Sequence, residues 1–222
     1  MKSNKKNVVS IIYELTLATA IFAGILDRAG IFTQNLQLHT LYSFTTISNS
    51  CVMVIMLFAA LVQMFPPVTV GSVLARVRFI GVIMILITGT VYHFILLPQK
   101  IAESPSYQVF SFGNIIAHYI APIGILADWL LFCKKGLVTK REPLICVLVP
   151  VLYFIITTLY GFYGSTIPGK ETSYVYFFMD VGELGIVGVI KWVAVIFAAI
   201  LLLVYSLYAI DRILAKRIKS RT

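Results

Sequence analysis

The chain has 222 residues, 59% of them hydrophobic and 12% charged, a balance that excludes a water-soluble domain built around a buried core and points to a membrane protein. Its formal net charge of +9 would suit nucleic acid, but the basic residues collect in short loops and at both tails, where they orient a membrane protein instead.

Six apolar segments follow one another: Val8–Phe32, Tyr42–Phe65, Phe79–Leu97, Ser111–Phe132, Leu144–Tyr163 and Leu184–Ile210. Each is long enough to cross about 30 Å of hydrocarbon, which takes about 20 helical residues. The sequence therefore predicts an all-α, six-transmembrane-helix bundle, one polytopic domain over residues 1–222, with both termini on one side. Lys2, Lys5 and Lys6, then Arg76 and Arg78, then Lys134, Lys135, Lys140 and Arg141, then Arg212, Lys216, Arg217, Lys219 and Arg221 fall in alternate loops and tails. Only Arg28, Lys100, Lys170 and Lys191 are left for the other side, so the termini are expected in the cytosol. No small-residue cleavage site separates the N-terminal lysines from the first span, so no removed signal peptide is expected. The tail IDRILAKRIKSRT forms a basic juxtamembrane patch suited to anionic lipid at the cytosolic face. Cys51, Cys133 and Cys146 lie in a span or near the basic loop, where thiols stay reduced, and their spacing does not suggest a metal site.

With the orientation set, depth follows from a rise of about 1.5 Å per residue, which puts Thr46 roughly 6 Å, Asn49 roughly 10 Å and His118 roughly 10 Å below the outer ends of their spans. Tyr92, His93, Tyr160 and Lys191 reach the same outer layer from spans three, five and six, and Asp27 and Arg28 close span one there. A polar chamber open to the outer leaflet is the inference. Thr46 and Asn49 are three apart and Asn114 and His118 four apart, so each pair shares a helix face. Pro122 has no N–H for the carbonyl of His118, which predicts a bend beside the histidine. Gly182, Gly185 and Gly188 form a ridge expected to pack against other helices and to carry Lys191 inward.

Each of these residues also has a structural explanation. Intramembrane threonines most often bond a carbonyl or join two helices. His93 and His118 serve as structural donors about as readily as they serve chemistry. Lys191 can snorkel or pair with Asp180 or Glu183, Asp128 can pair with a basic loop residue, and Glu14 can join helices. The chemical reading is nucleophilic catalysis: a threonine hydroxyl attacks once histidine takes its proton, Asn49 donates to a developing oxyanion and Asn114 orients the imidazole. No carboxylate completes a triad, and no metal or organic cofactor is needed.

FTTISN in span two, TGTVYH in span three, AHYIAPIGILADWLLF in span four and YVYFFMD before span six resemble the bacterial six-span membrane proteins related to the androgen-induced-gene/ADTRP threonine hydrolases. The resemblance covers most of the chain, in order. It implies intramembrane hydrolysis of a lipid ester, in the animal proteins a fatty acid ester of a hydroxy fatty acid. It also implies a threonine nucleophile three residues before an asparagine, which selects Thr46 over Thr45, and a histidine that matches His118. His93, Tyr92, Lys191, Tyr160 and Asp180 are candidates for the substrate pocket or for tuning the dyad, with Lys191 an alternative base. A proton-coupled transporter or small-molecule binding protein using Glu14, Asp128, His93 and Lys191, and a non-catalytic assembly subunit, are the competing readings.

Overall fold

The computed structural model describes residues 2–65, 71–164, 166–167 and 173–220; Lys170 and Arg221 lie outside them. Among these residues the fold is all-helical, with six helices long and apolar enough to cross a membrane. They are α1 (Lys2–Arg28), α2 (Phe44–Met64), α3 (Gly71–Glu103), α4 (Phe112–Phe132), α5 (Glu142–Phe162) and α6 (Val181–Lys219). One-turn 3-10 helices, Leu38–Tyr42 and Phe177–Met179, precede α2 and α6.

Helices α1 to α4 form the packed centre, α1 lying on both α2 and α4 and α3 on α2 and α4, while α5 and α6 lean on α3 and on each other. Ile21, Val52, Met56, Phe79, Ile83 and Ile125 are fully buried where the four central helices meet. Along α5 and α6 large apolar side chains such as Leu148, Ile156, Val187 and Leu202 are exposed instead, as suits helices whose solvent is lipid.

Helix α3 starts at Gly71 rather than at Phe79, so Arg76 and Arg78 belong to a helix and not to a loop. The reason is pairing. Arg78 is buried at the end of the bundle opposite Arg28, with Nη2 on Glu14 of α1, Nη1 3.1 Å from Asp128 Oδ2 of α4, and Nη1 donating to Cys133 Sγ at 3.3 Å. Ser10 and Gln63 also donate to the Glu14 carboxylate, at 2.8 Å to Oε1 and 2.8 Å to Oε2. Glu14 therefore joins helices, and the partner of Asp128 is a helical arginine.

The glycine ridge of α6 does other work. Gly182 donates its N–H to the capping carboxylate of Asp180, and Gly185, at φ 64 and ψ 168, interrupts the helix in a conformation reserved for glycine. Nothing would touch a Cβ at Gly185 within 4 Å. Among the described residues no other helix would meet a Cβ at Gly182, Gly185 or Gly188, and Lys191 is exposed on the flank of α6.

Candidate functional site

Two helices carry a wide, π-helical turn just before a proline: Tyr92–Leu96 ahead of Pro98 in α3, and Ile116–Ile120 ahead of Pro122 in α4. In a regular helix Pro122 would leave the His118 carbonyl without a donor. The wide turn shifts the register by one, because the Ala121 N–H bonds the Ile116 carbonyl. The missing proline N–H now falls opposite Ala117, whose carbonyl is supplied from α2 by Asn49 Nδ2 at 3.2 Å. Asn49 also donates to the Thr45 carbonyl, at 2.8 Å. Its amide N–H groups are spent on backbone, and Asn49 does not line the chamber described below. Asn49→Leu, close in size, should therefore lower stability by about 1–2 kcal/mol. A thermal unfolding curve in detergent checks this; an unchanged midpoint would mean that the Ala117 carbonyl needs no partner.

The wide turn turns His118 toward a chamber of about 710 Å³ lined by α1, the segments before α2 and α6, and the chamber ends of α2, α3 and α4. His118 is 4% exposed and stacks on Tyr92, with ring centroids 3.6 Å apart and planes 7° from parallel. Arg28, the last residue of α1, reaches it across Gly113: its Nη1 donates to Asn114 Oδ1 at 3.0 Å and lies 3.3 Å from His118 Nε2. A Cβ at residue 113 would stand 2.6 Å from Arg28 Cγ, so the glycine makes room for the arginine stem. Guanidinium only donates, so Nε2 is the acceptor and the ring proton of neutral His118 sits on Nδ1, which is buried and has no partner among the described residues. Asn114 Nδ2 donates to Tyr107 Oη at 2.8 Å, and the Tyr107 and Tyr92 hydroxyls lie 3.2 Å apart. Arg28, Asn114, Tyr107, Tyr92 and His118 form one connected floor.

Of the two adjacent threonines, Thr45 lines the chamber and Thr46 does not. Thr46 closes the N-terminus of α2: its hydroxyl donates to the Thr40 carbonyl at 2.7 Å, and its N–H donates to the cap Ser43 Oγ at 3.2 Å. Tyr176 Oη accepts the Phe44 N–H at 3.0 Å and lines the chamber next to Thr45. Burial pushes the Tyr176 phenol above its ordinary value, so it stays protonated and able to donate.

A second, apolar cleft of about 120 Å³ runs between α3, α5 and α6, past Ile87, Val91, Phe154, Ile196 and Phe197. It meets the chamber along Thr45, Leu96 and Tyr176, which line both. Polar chamber and apolar cleft thus share a wall, and Thr45 stands in it.

The remaining sequence candidates divide. Tyr92, Asn114 and Asp180 line the chamber, Asp180 also capping α6 through bonds from Gly182 N at 2.8 Å and Glu183 N at 3.1 Å. His93 points outward, exposed, with Nδ1 3.1 Å from Tyr119 Oη. Tyr160 is exposed and donates to the Thr166 carbonyl at 3.4 Å, and Lys191 lies away from the chamber. Arg28 is the chamber residue that sequence reasoning placed at a span end and did not assign to chemistry; its signal is an arginine in the outer polar layer, one helix turn from no carboxylate but Asp27.

No family model matches the chain, and comparisons with curated proteins and with solved structures return no significant match.

Proposed function

We propose that this protein is an intramembrane hydrolase of a lipid ester, with a threonine of the FTTISN stretch as nucleophile and His118 as the proton-transfer group. The observation that carries the reading is the shared wall: Thr45 stands in the wall that a polar chamber containing His118 shares with an apolar cleft. An amphiphile with its chain in the cleft presents its carbonyl at that wall, as a lipid ester requires. The place of Thr45 in the chamber lining and the capping bonds of Thr46 favour Thr45 as the attacking hydroxyl. Once Arg28 releases Nε2, attack forms the bond from threonine oxygen to acyl carbon, His118 Nε2 takes the hydroxyl proton and returns it to the leaving alkoxide, and water then releases the acid. Tyr176, a neutral phenol that lines the same wall as Thr45, is the donor this reading assigns to the developing oxyanion.

The finer topology belongs to the same proposal. Lys134, Lys140, Arg141, Arg212, Lys216, Arg217 and Lys219 lie at the end of the bundle opposite the chamber, which supports cytosolic termini and a chamber facing the outer leaflet of a bacterial plasma membrane. The carboxylates that a proton-coupled transporter would use, Glu14 and Asp128, are closed on Arg78 at the far end and give that alternative no support from the chamber.

The test is a fluorophosphonate probe on detergent-purified protein, with the adduct located by intact mass and peptide mapping. The expected adduct is on Thr45, absent in Thr45→Ala, strongly reduced in His118→Ala and kept in Thr46→Ala. An adduct that survives Thr45→Ala and is lost in Thr46→Ala would return the nucleophile to Thr46. No adduct on folded protein, together with no turnover of any medium-chain ester, would end the hydrolase reading.

A further inference from the structure

We infer that Arg28, with Asn114 beside it, is the binding site for the anionic headgroup, carboxylate or phosphate, of a single-chain amphiphile whose hydrocarbon enters the apolar cleft. The inference concerns binding alone and stands whether or not Thr45 is a nucleophile.

A guanidinium partly withdrawn from water, as that of half-buried Arg28 is, gains from an anion or from several acceptors. Among the described residues Arg28 has two neutral acceptors, Asn114 Oδ1 and the His118 ring, both on Nη1, while its buried Nε has no partner. Among the described residues no carboxylate lies within ion-pair distance of Arg28. Four carboxylates do line the chamber, but Asp27 accepts the Gly113 N–H at 2.9 Å, Asp180 caps α6, and Glu103 accepts from Gln99. Glu183 is likewise outside that distance. Lys100, whose Nζ lies 5.2 Å from the centre of the Tyr107 ring, adds a second cation to the same wall. The stem of Arg28 is seated by the missing side chain of Gly113, so the guanidinium is aimed into the chamber and not snorkelling past it. A planar fork with free donors, a neighbouring cation and tyrosine hydroxyls matches the oxygens of a carboxylate or phosphate. The apolar cleft, joined to the chamber through Leu96 and Tyr176, supplies the place for the chain.

The same contact has a consequence for His118. While Arg28 donates to Nε2, the ring carries its proton on Nδ1. An anion that draws Arg28 away frees Nε2 and allows either tautomer, so occupancy of the site changes which nitrogen of His118 can accept a proton.

The test compares laurate, dodecyl phosphate and dodecanol by calorimetry on protein in zwitterionic nanodiscs, against empty discs, for the unmodified chain and for Arg28→Gln and Arg28→Lys. Laurate or dodecyl phosphate is expected to bind at least about 10-fold tighter than dodecanol, since charge-assisted bonds exceed neutral ones by that order. Arg28→Gln should remove the difference while leaving dodecanol unchanged, and Arg28→Lys should keep part of it. The preferred anion names the headgroup. If Arg28→Gln fails to fold, the comparison of laurate with dodecanol on the unmodified chain decides alone. Equal binding of the three compounds, or a preference that persists in Arg28→Gln, would overturn the site. Displacement of laurate by millimolar acetate or inorganic phosphate would overturn the amphiphile in favour of a free anion.

Discussion

Exchanging Arg78 for methionine should destabilise the protein by about 3–5 kcal/mol, the cost of leaving buried charges without their partner. Glu14 and Asp128 are both fully buried, and one guanidinium from α3 serves both. Methionine matches the arginine stem in length and would fill its space, so the loss isolates charge from packing. Ser10 and Gln63 would still donate to Glu14, but neutral donors do not replace a cation, and the carboxyl groups would have to take up protons to remain inside. Lys135 donates to the Trp129 and Cys133 carbonyls. The measurement is the thermal midpoint in detergent, with size-exclusion recovery as a second reading. Arg78→Met combined with Glu14→Gln and Asp128→Asn should recover a large part of the loss, because all three groups are then uncharged. An Arg78→Met protein as stable as the unmodified chain would show that the charges are hydrated and not buried.

Six spans were legible in the chain because apolar runs of this length have one cheap conformation in lipid. The start of α3 was not. A hydropathy scan ends at Arg78 and Arg76, and only the fold reveals that their counter-charges sit on α1, α4 and α5, the last through Glu142, whose Oε1 is 3.6 Å from Arg76 Nε. Counting rise per residue put Thr46, Asn49, His118, Tyr92, His93, Tyr160, Lys191, Asp27 and Arg28 in one outer layer, and of these Asp27, Arg28, Tyr92 and His118 line the chamber. Rotation about the helix axis was less legible. Spacing groups Thr46 with Asn49 and Asn114 with His118, yet it does not say which face meets the chamber, and Ser43 as the cap fixes Thr46 to the turn before α2. The glycine ridge failed for a related reason: small residues at intervals of three favour close packing only in an unbroken helix, and Gly185 breaks this one. The proline at 122 was read in the right place with the wrong carbonyl, since a wide turn moves the gap by one residue, from His118 to Ala117. Sequence shows the proline but not the register of the turn before it.

The largest functional effects are expected at Thr45 and His118. On a p-nitrophenyl ester of a medium-chain acid, Thr45→Ala should lower kcat/KM to the level of empty micelles, while Thr45→Ser keeps a hydroxyl at the same wall and should retain measurable turnover. His118→Ala should cost about 10²–10⁴-fold, the usual contribution of a positioned proton-transfer group. It also removes the ring stacked on Tyr92 and the acceptor of Arg28, so His118→Asn, which keeps a polar acceptor, is the sharper variant: it should fold and remain inactive. Thr46→Ala gives the contrast. Its hydroxyl bonds the Thr40 carbonyl and not the chamber, so losing it should cost about 0.5–2 kcal/mol of stability, as for a lost helix cap, with kcat/KM changed by only a few-fold. The opposite pattern, activity lost with Thr46 and kept without Thr45, would mean that α2 rotates on binding substrate and that the asparagine spacing identifies the nucleophile. Loss in both variants with full stability in each would assign the two hydroxyls to one relay across the turn that Ser43 caps.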